Sequence, residues 1–260
     1  MEAKDIMHPE DAKAIQMIRN ITGFNFVVKQ MTKYGYEQKY RGRLLSEAVK
    51  AEPRNHPALC CSLKKVANKI GIPLPDLFIY NMPDVNAYTY GYSNPFIIVS
   101  SSLLNTFTID EVEFVLAHEC GHILCKHSFY TTLLNYVIDL RESLGFISEA
   151  IMHPLYMAYM YWRRRKEYSA DRCAACVVGE RMSQQAILKL ASGIPNTNVN
   201  PYQLVEQARE YHNYKKESWW NMIQQNCNIA YDTHPLMCER AWEIDRWKNS
   251  WQYRKIRESI

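Results

Sequence analysis

TIDEVEFVLAHECGH, residues 108–122, decides how this chain is read. Thr108 with Glu111 three positions on is the signature of a capping box, and Val112, Val115 and Leu116 recur behind it at helical spacing. The stretch is predicted as a helix that starts at Thr108. On a helix, His118 and His122 stand one turn apart on a single face, so both imidazoles reach one Zn²⁺. Glu119, next to the first histidine, then points toward the metal's open side and is the candidate general base.

A catalytic zinc takes three protein ligands and keeps one position open, so a third ligand must come from elsewhere in the chain. Glu167, in EYSAD at 167–171, is the candidate. On a second helix its i, i+4 partner Asp171 shares its face, which suits a ligand paired with a hydrogen-bond acceptor for a ligating imidazole. Taken alone, such a pair after the basic run at 163–166 reads as a solvated face. The HExxH motif selects the ligand reading.

The surrounding sequence supplies the frame. Residues 10–51 carry helical periodicity and form a lead-in segment; a helix is predicted over 58–70, stopped by Gly71 and Pro73. The runs 77–80, 85–90 and 96–100 are β-rich and separated by turn residues, predicting a small antiparallel sheet. Residues 129–162 are apolar and aromatic, yet Asp139, Arg141, Glu142, Glu149 and Pro154 interrupt them, so a buried helical pair is expected rather than a membrane hairpin. The remainder reads as helices. The expected fold class is α+β, predominantly α-helical, with residues 1–57 as lead-in and 58–260 as the functional domain.

Of 260 residues, 47% are hydrophobic and 22% charged, which excludes disorder as a description of the whole chain. Thirty-one basic against 27 acidic residues leave a formal charge of +4, too small a bias to argue for nucleic acid. The N-terminus lacks an apolar signal core, and eight cysteines read as reduced thiols, so a cytoplasmic location is expected. Cys173 and Cys176 have CxxC spacing without a second pair, and Cys125 is read as a buried small hydrophobe. His127, His153 and His212 match no motif, and Trp242, Trp247 and Trp251 read as packing residues.

HECGH followed by EYSAD, with Asn86-Ala87 and Gly91 upstream and Thr233-His234-Pro235 then Arg240 downstream, closely resembles the M48 family of zinc metallopeptidases, in the gluzincin group. The resemblance covers roughly residues 58–245. It implies a zincin-like fold and zinc-dependent endopeptidase activity, with one Zn²⁺ held by His118, His122 and Glu167. It also implies Glu119 as base and later proton donor, Asp171 orienting a ligand histidine, His234 stabilising the oxyanion and Arg240 in a supporting ion pair. Asn86 and Ala87 would pair with extended substrate backbone. The implied partner is a polypeptide substrate, with no integral membrane span. Peripheral membrane contact through the 163–166 run, and an autoinhibitory segment of the same chain that would make it a latent zinc protein, stay open as further readings.

Overall fold

The computed structural model describes residues 1–21, 24–33, 35–144, 149–194, 200–222 and 235–260. Four short helices lead in: α1 (Ala3–Ile6), α2 (Pro9–Arg19), α3 (Phe24–Lys33) and α4 (Tyr36–Glu47). Strand β1 (Val49–Lys50) follows, then α5 (Pro57–Ile70), which begins on Pro57 and ends on Gly71 at φ +84°. Strands β2 (Asp76–Tyr80), β3 (Ala87–Tyr90) and β4 (Phe96–Ser100) complete a four-stranded sheet of order β1-β2-β4-β3. Helices α6 (Ser101–Thr106), α7 (Ile109–Leu124), α8 (His127–Leu144), α9 (Glu149–Val178), α10 (Glu180–Ser192), α11 (Gln203–Glu217), α12 (Met237–Trp247) and α13 (Trp251–Ser259) follow. No helix among the described residues is long and apolar enough to cross a membrane.

The sheet is mixed, not wholly antiparallel as the strand runs suggest. β3 and β4 form an antiparallel hairpin, but β4 returns between β3 and β2 and therefore runs parallel to β2. Alternation along a strand tells which face is buried but not which neighbour the strand takes. Both faces of this sheet are covered. Leu77, Ile97 and Val99 pack with α5 and α7, while Phe78, Phe96 and Ile98 pack with Met31, Leu44, Leu133 and Tyr136. β4, buried at all five residues, is accordingly apolar through Val99.

Two devices hold α7 where the site needs it. At its start, Thr108 and Glu111 make the expected capping box, and the Glu111 carboxylate also accepts from Lys189 Nζ of α10 at 2.7 Å. In its middle, Gly121 lies against α9: a Cβ there would sit 2.8 Å from Cys173 Cβ and 3.1 Å from Ala170 Cα. The facing surface is small and buried throughout, with Ala117 and Cys120 on one side and Ala170, Cys173 and Ala174 on the other. Cys173 and Cys176 belong to this packed core, and burial pushes their thiols up, Cys176 to about 12. The CxxC spacing is thus a packing pattern.

The lead-in segment packs into the core. Ile6 and Ile18 are fully buried, and α2 packs Ala14, Ile15 and Ile18 against Tyr130, Leu134 and Trp162 of α8 and α9. Trp247 is buried, whereas Trp251 is 64% exposed, so the expectation that all three tryptophans pack inward fails at the third. That residue opens α13 at the surface.

Gly121→Ala is expected to destabilise the protein by about 1–3 kcal/mol, the usual cost of overpacking. Gly42→Ala, in α4 with nothing near the added Cβ, should be neutral or stabilise by up to about 1 kcal/mol. Urea unfolding of both variants makes the comparison. Acid gives a second check. Burial alone would raise the Glu37 carboxyl, but backbone N–H groups of Ser93, Tyr92 and Asn94 donate to it and hold it below the usual range. Burial would likewise raise Glu111, and Lys189 and Thr108 hold it down. Groups lowered in the folded state contribute stability that is present above their unfolded pKa, about 4.3, and lost as pH falls through the folded one. The urea midpoint should therefore hold down to about pH 5 and drop below it, with a shallower drop in Glu37→Gln.

Candidate metal centre

His118 and His122 project from α7 as the spacing requires, and both are buried. α9 brings Glu167 opposite them. Its Oε2 lies 3.2 Å from His118 Nε2 and its Oε1 lies 3.5 Å from His122 Nε2. Donors bonded at about 2.0–2.2 Å in a tetrahedral zinc shell are separated by about 3.3–3.5 Å along each edge, so this donor set fits such an ion. His118, Glu119 and His122 also present ligand-type atoms within 4.8 Å of one another. The three sequence candidates for metal ligation are therefore brought together.

Asp171, one turn beyond Glu167, accepts from His118 Nδ1 at 2.9 Å. This fixes that ring's proton on the side away from the cleft and leaves Nε2 to face Glu167. Arg240 of α12 grips the same carboxylate with two bonds, Nε to Oδ2 at 2.8 Å and Nη2 to Oδ1 at 2.7 Å. Burial would raise the Asp171 carboxyl, but the Arg240 charge holds it below its ordinary value. Burial would lower His118, yet its bonds to Asp171 and Glu167 push it up to about 9. His122 is pushed down, first by burial and then by the Lys166 ammonium, whose Nζ lies 3.8 Å from Glu167 Oε1.

Glu119 points beside the ligand atoms. Thr89 Oγ1 donates to its Oε2 at 2.6 Å, and burial pushes its carboxyl up. Thr89 lies on β3, whose outer side carries no strand partner among the described residues. Asn86, Ala87 and Thr89 line a cleft of about 520 Å³ together with His118, Glu119, His122, Glu167 and Arg240. The Asn86 main chain is tied to Ser100, its N–H donating to Ser100 Oγ at 3.0 Å and its carbonyl accepting from Ser100 N–H at 2.9 Å. Thr233 and His234 lie outside the described residues.

The sequence reading missed four participants. Thr89 and Lys166 lack any motif, although each neighbours residues that have one. His127, read as ordinary, is buried with its Nδ1 2.8 Å from His122 Nδ1, and its Nε2 lies 2.8 Å from Asp11 Oδ2 in α2. The turn that aims it there passes through Lys126 at φ +59°, a left-handed conformation for a non-glycine residue. Pairings across 116 residues leave no local signal. His212, by contrast, hydrogen-bonds Glu239 away from the cleft.

Comparison with known proteins places this geometry. A sequence profile described as peptidase family M48 matches residues 53–248. Plastoglobule-localized metallopeptidase 48, chloroplastic, of Arabidopsis thaliana is 30% identical over 261 residues, covering 98% of this chain and 76% of that protein. Protease HtpX of Haemophilus influenzae is 30% identical over 182 residues, covering 57% of this chain and 64% of HtpX, so the chain spans less than two thirds of that relative. Among solved structures, S. mikatae Ste24p aligns with a TM-score of 0.43 and 17% identity, over 85% of this chain and 62% of its own. The profile match and the similarity to the Arabidopsis protein show that this chain belongs to peptidase family M48 and is a metallopeptidase.

Proposed function

We propose that the chain is a zinc-dependent endopeptidase acting on extended polypeptide, with Glu119 as its general base. The observation that carries the reading is the placement of Glu167 between the two imidazoles, 3.2 and 3.5 Å from their Nε2 atoms, beside the buried Glu119 carboxylate that Thr89 holds. His118, His122 and Glu167 would hold the ion. Zinc, when bound, supplies Lewis acidity toward water and toward the scissile carbonyl.

The chain's own groups do the rest. Substrate backbone adds along the open side of β3, where the main chain of Ala87 offers strand-type hydrogen bonds and Asn86, whose own N–H and carbonyl are held by Ser100, fixes the start of the strand. Thr89 holds Glu119 Oε2, which leaves Oε1 to take a proton from the attacking water and pass it to the leaving amine. The burial that raises this carboxyl brings its basicity closer to working pH. Asp171, braced by Arg240, keeps the His118 ring in register, so Arg240 acts as a positioning residue. His234 keeps the role the resemblance assigns it, donating toward the oxygen on which negative charge builds.

Glu119→Gln keeps the shape and loses the base. It is expected to retain one zinc per chain by metal analysis while cleavage of unfolded polypeptide falls about 10²–10⁴-fold. Undiminished cleavage by this variant would remove Glu119 from the mechanism.

A further inference from the structure

His118 has a carboxylate of its own, Asp171, to hold its ring proton, whereas among the described residues no carboxylate is bonded to His122 Nδ1. Its Nδ1 instead meets His127 Nδ1 at 2.8 Å, and His127 Nε2 meets Asp11 Oδ2 at 2.8 Å. We propose that Asp11, acting through His127, sets the tautomer of His122, so that the N-terminal helix Pro9–Arg19 is a working part of the metal centre. The inference rests on the reading of His122 as a metal ligand.

The proton positions follow from counting donors. An ion on His122 Nε2 leaves one place for that ring's proton, Nδ1. The atom facing it, His127 Nδ1, accepts only if the His127 proton sits on Nε2. Asp11 secures that placement, because its carboxylate accepts from every partner: His127 Nε2, Ser169 Oγ at 2.5 Å and Trp162 Nε1 at 2.9 Å. Asp11 and His127 are fully buried and His122 is 5% exposed, so no bulk water replaces a missing member. Asp11 lies upstream of residues 53–248, the span that the family profile matches.

Asp11→Asn tests the chain of donors without changing its shape. Trp162 Nε1–H requires the amide oxygen on its own side, which turns the NH₂ toward His127 Nε2. His127 must then carry its proton on Nδ1, opposite His122, and the His122 proton is driven to the metal-facing Nε2. Zinc titration of the metal-free full-length chain, with a competing chelator, is expected to show about 10–100-fold weaker binding for Asp11→Asn and for His127→Phe. The double variant should bind no more weakly than the weaker single, since both break one relay. Ile15→Ala, which loosens the packing of the same helix but removes no hydrogen bond of the relay, should lower the urea midpoint yet leave zinc affinity unchanged. The inference is overturned if Asp11→Asn binds within about twofold of wild type, the margin of independent sites, or if Ile15→Ala loses as much affinity. Wild-type protein that takes up no zinc would overturn the metal reading itself and this inference with it.

Discussion

The closeness of α7 and α9 is the constraint on which the rest depends. Two histidines on one helix supply half of a tetrahedral shell, and a carboxylate from a second helix adds the third ligand only if the helix axes approach closely. The seam of Gly121, Ala117 and Cys120 against Ala170, Cys173 and Ala174 permits that approach, with 2.8 Å between Cys173 Cβ and the place where a side chain on Gly121 would begin. A side chain at this point would push Glu167 away from the imidazoles. Packing in the core and geometry at the site are therefore one requirement, enforced by interiors too dense to yield.

Charge is arranged around that seam so that each ligand has a support behind it. Asp171 stands behind His118 and is held ionised by Arg240, whose bidentate grip satisfies both carboxylate oxygens. Burying such a pair is seldom a net source of stability, and its value here is orientation. Five helices, α2, α7, α8, α9 and α12, meet at the centre. The sheet contributes its edge strand β3, which ties Glu119 through Thr89 and has no strand partner on its outer side among the described residues.

Much of this was legible in the sequence because it is local. The capping box at Thr108 fixes where α7 starts, the i, i+4 spacing puts both histidines on one face, and the same spacing aligns Glu167 with Asp171. The motif order supplied the pairing between the two helices. What stayed hidden is nonlocal. The parallel β2–β4 pairing depends on β3 passing to the sheet's outer side, and strand periodicity carries no such information. Asp11 and His127 look like ordinary polar residues until folding sets them 2.8 Å apart. The ties of Asp11 to His127, Trp162 and Ser169 likewise join distant parts of the chain and leave no local mark.

The account stands most directly on where the ion sits. An anomalous difference map at the zinc edge, from crystals of zinc-loaded protein, should show one strong peak about 2.0–2.2 Å from His118 Nε2, His122 Nε2 and a Glu167 carboxylate oxygen. A peak at Cys173 and Cys176, or an ion bound by the histidines with Glu167 turned elsewhere, would contradict it.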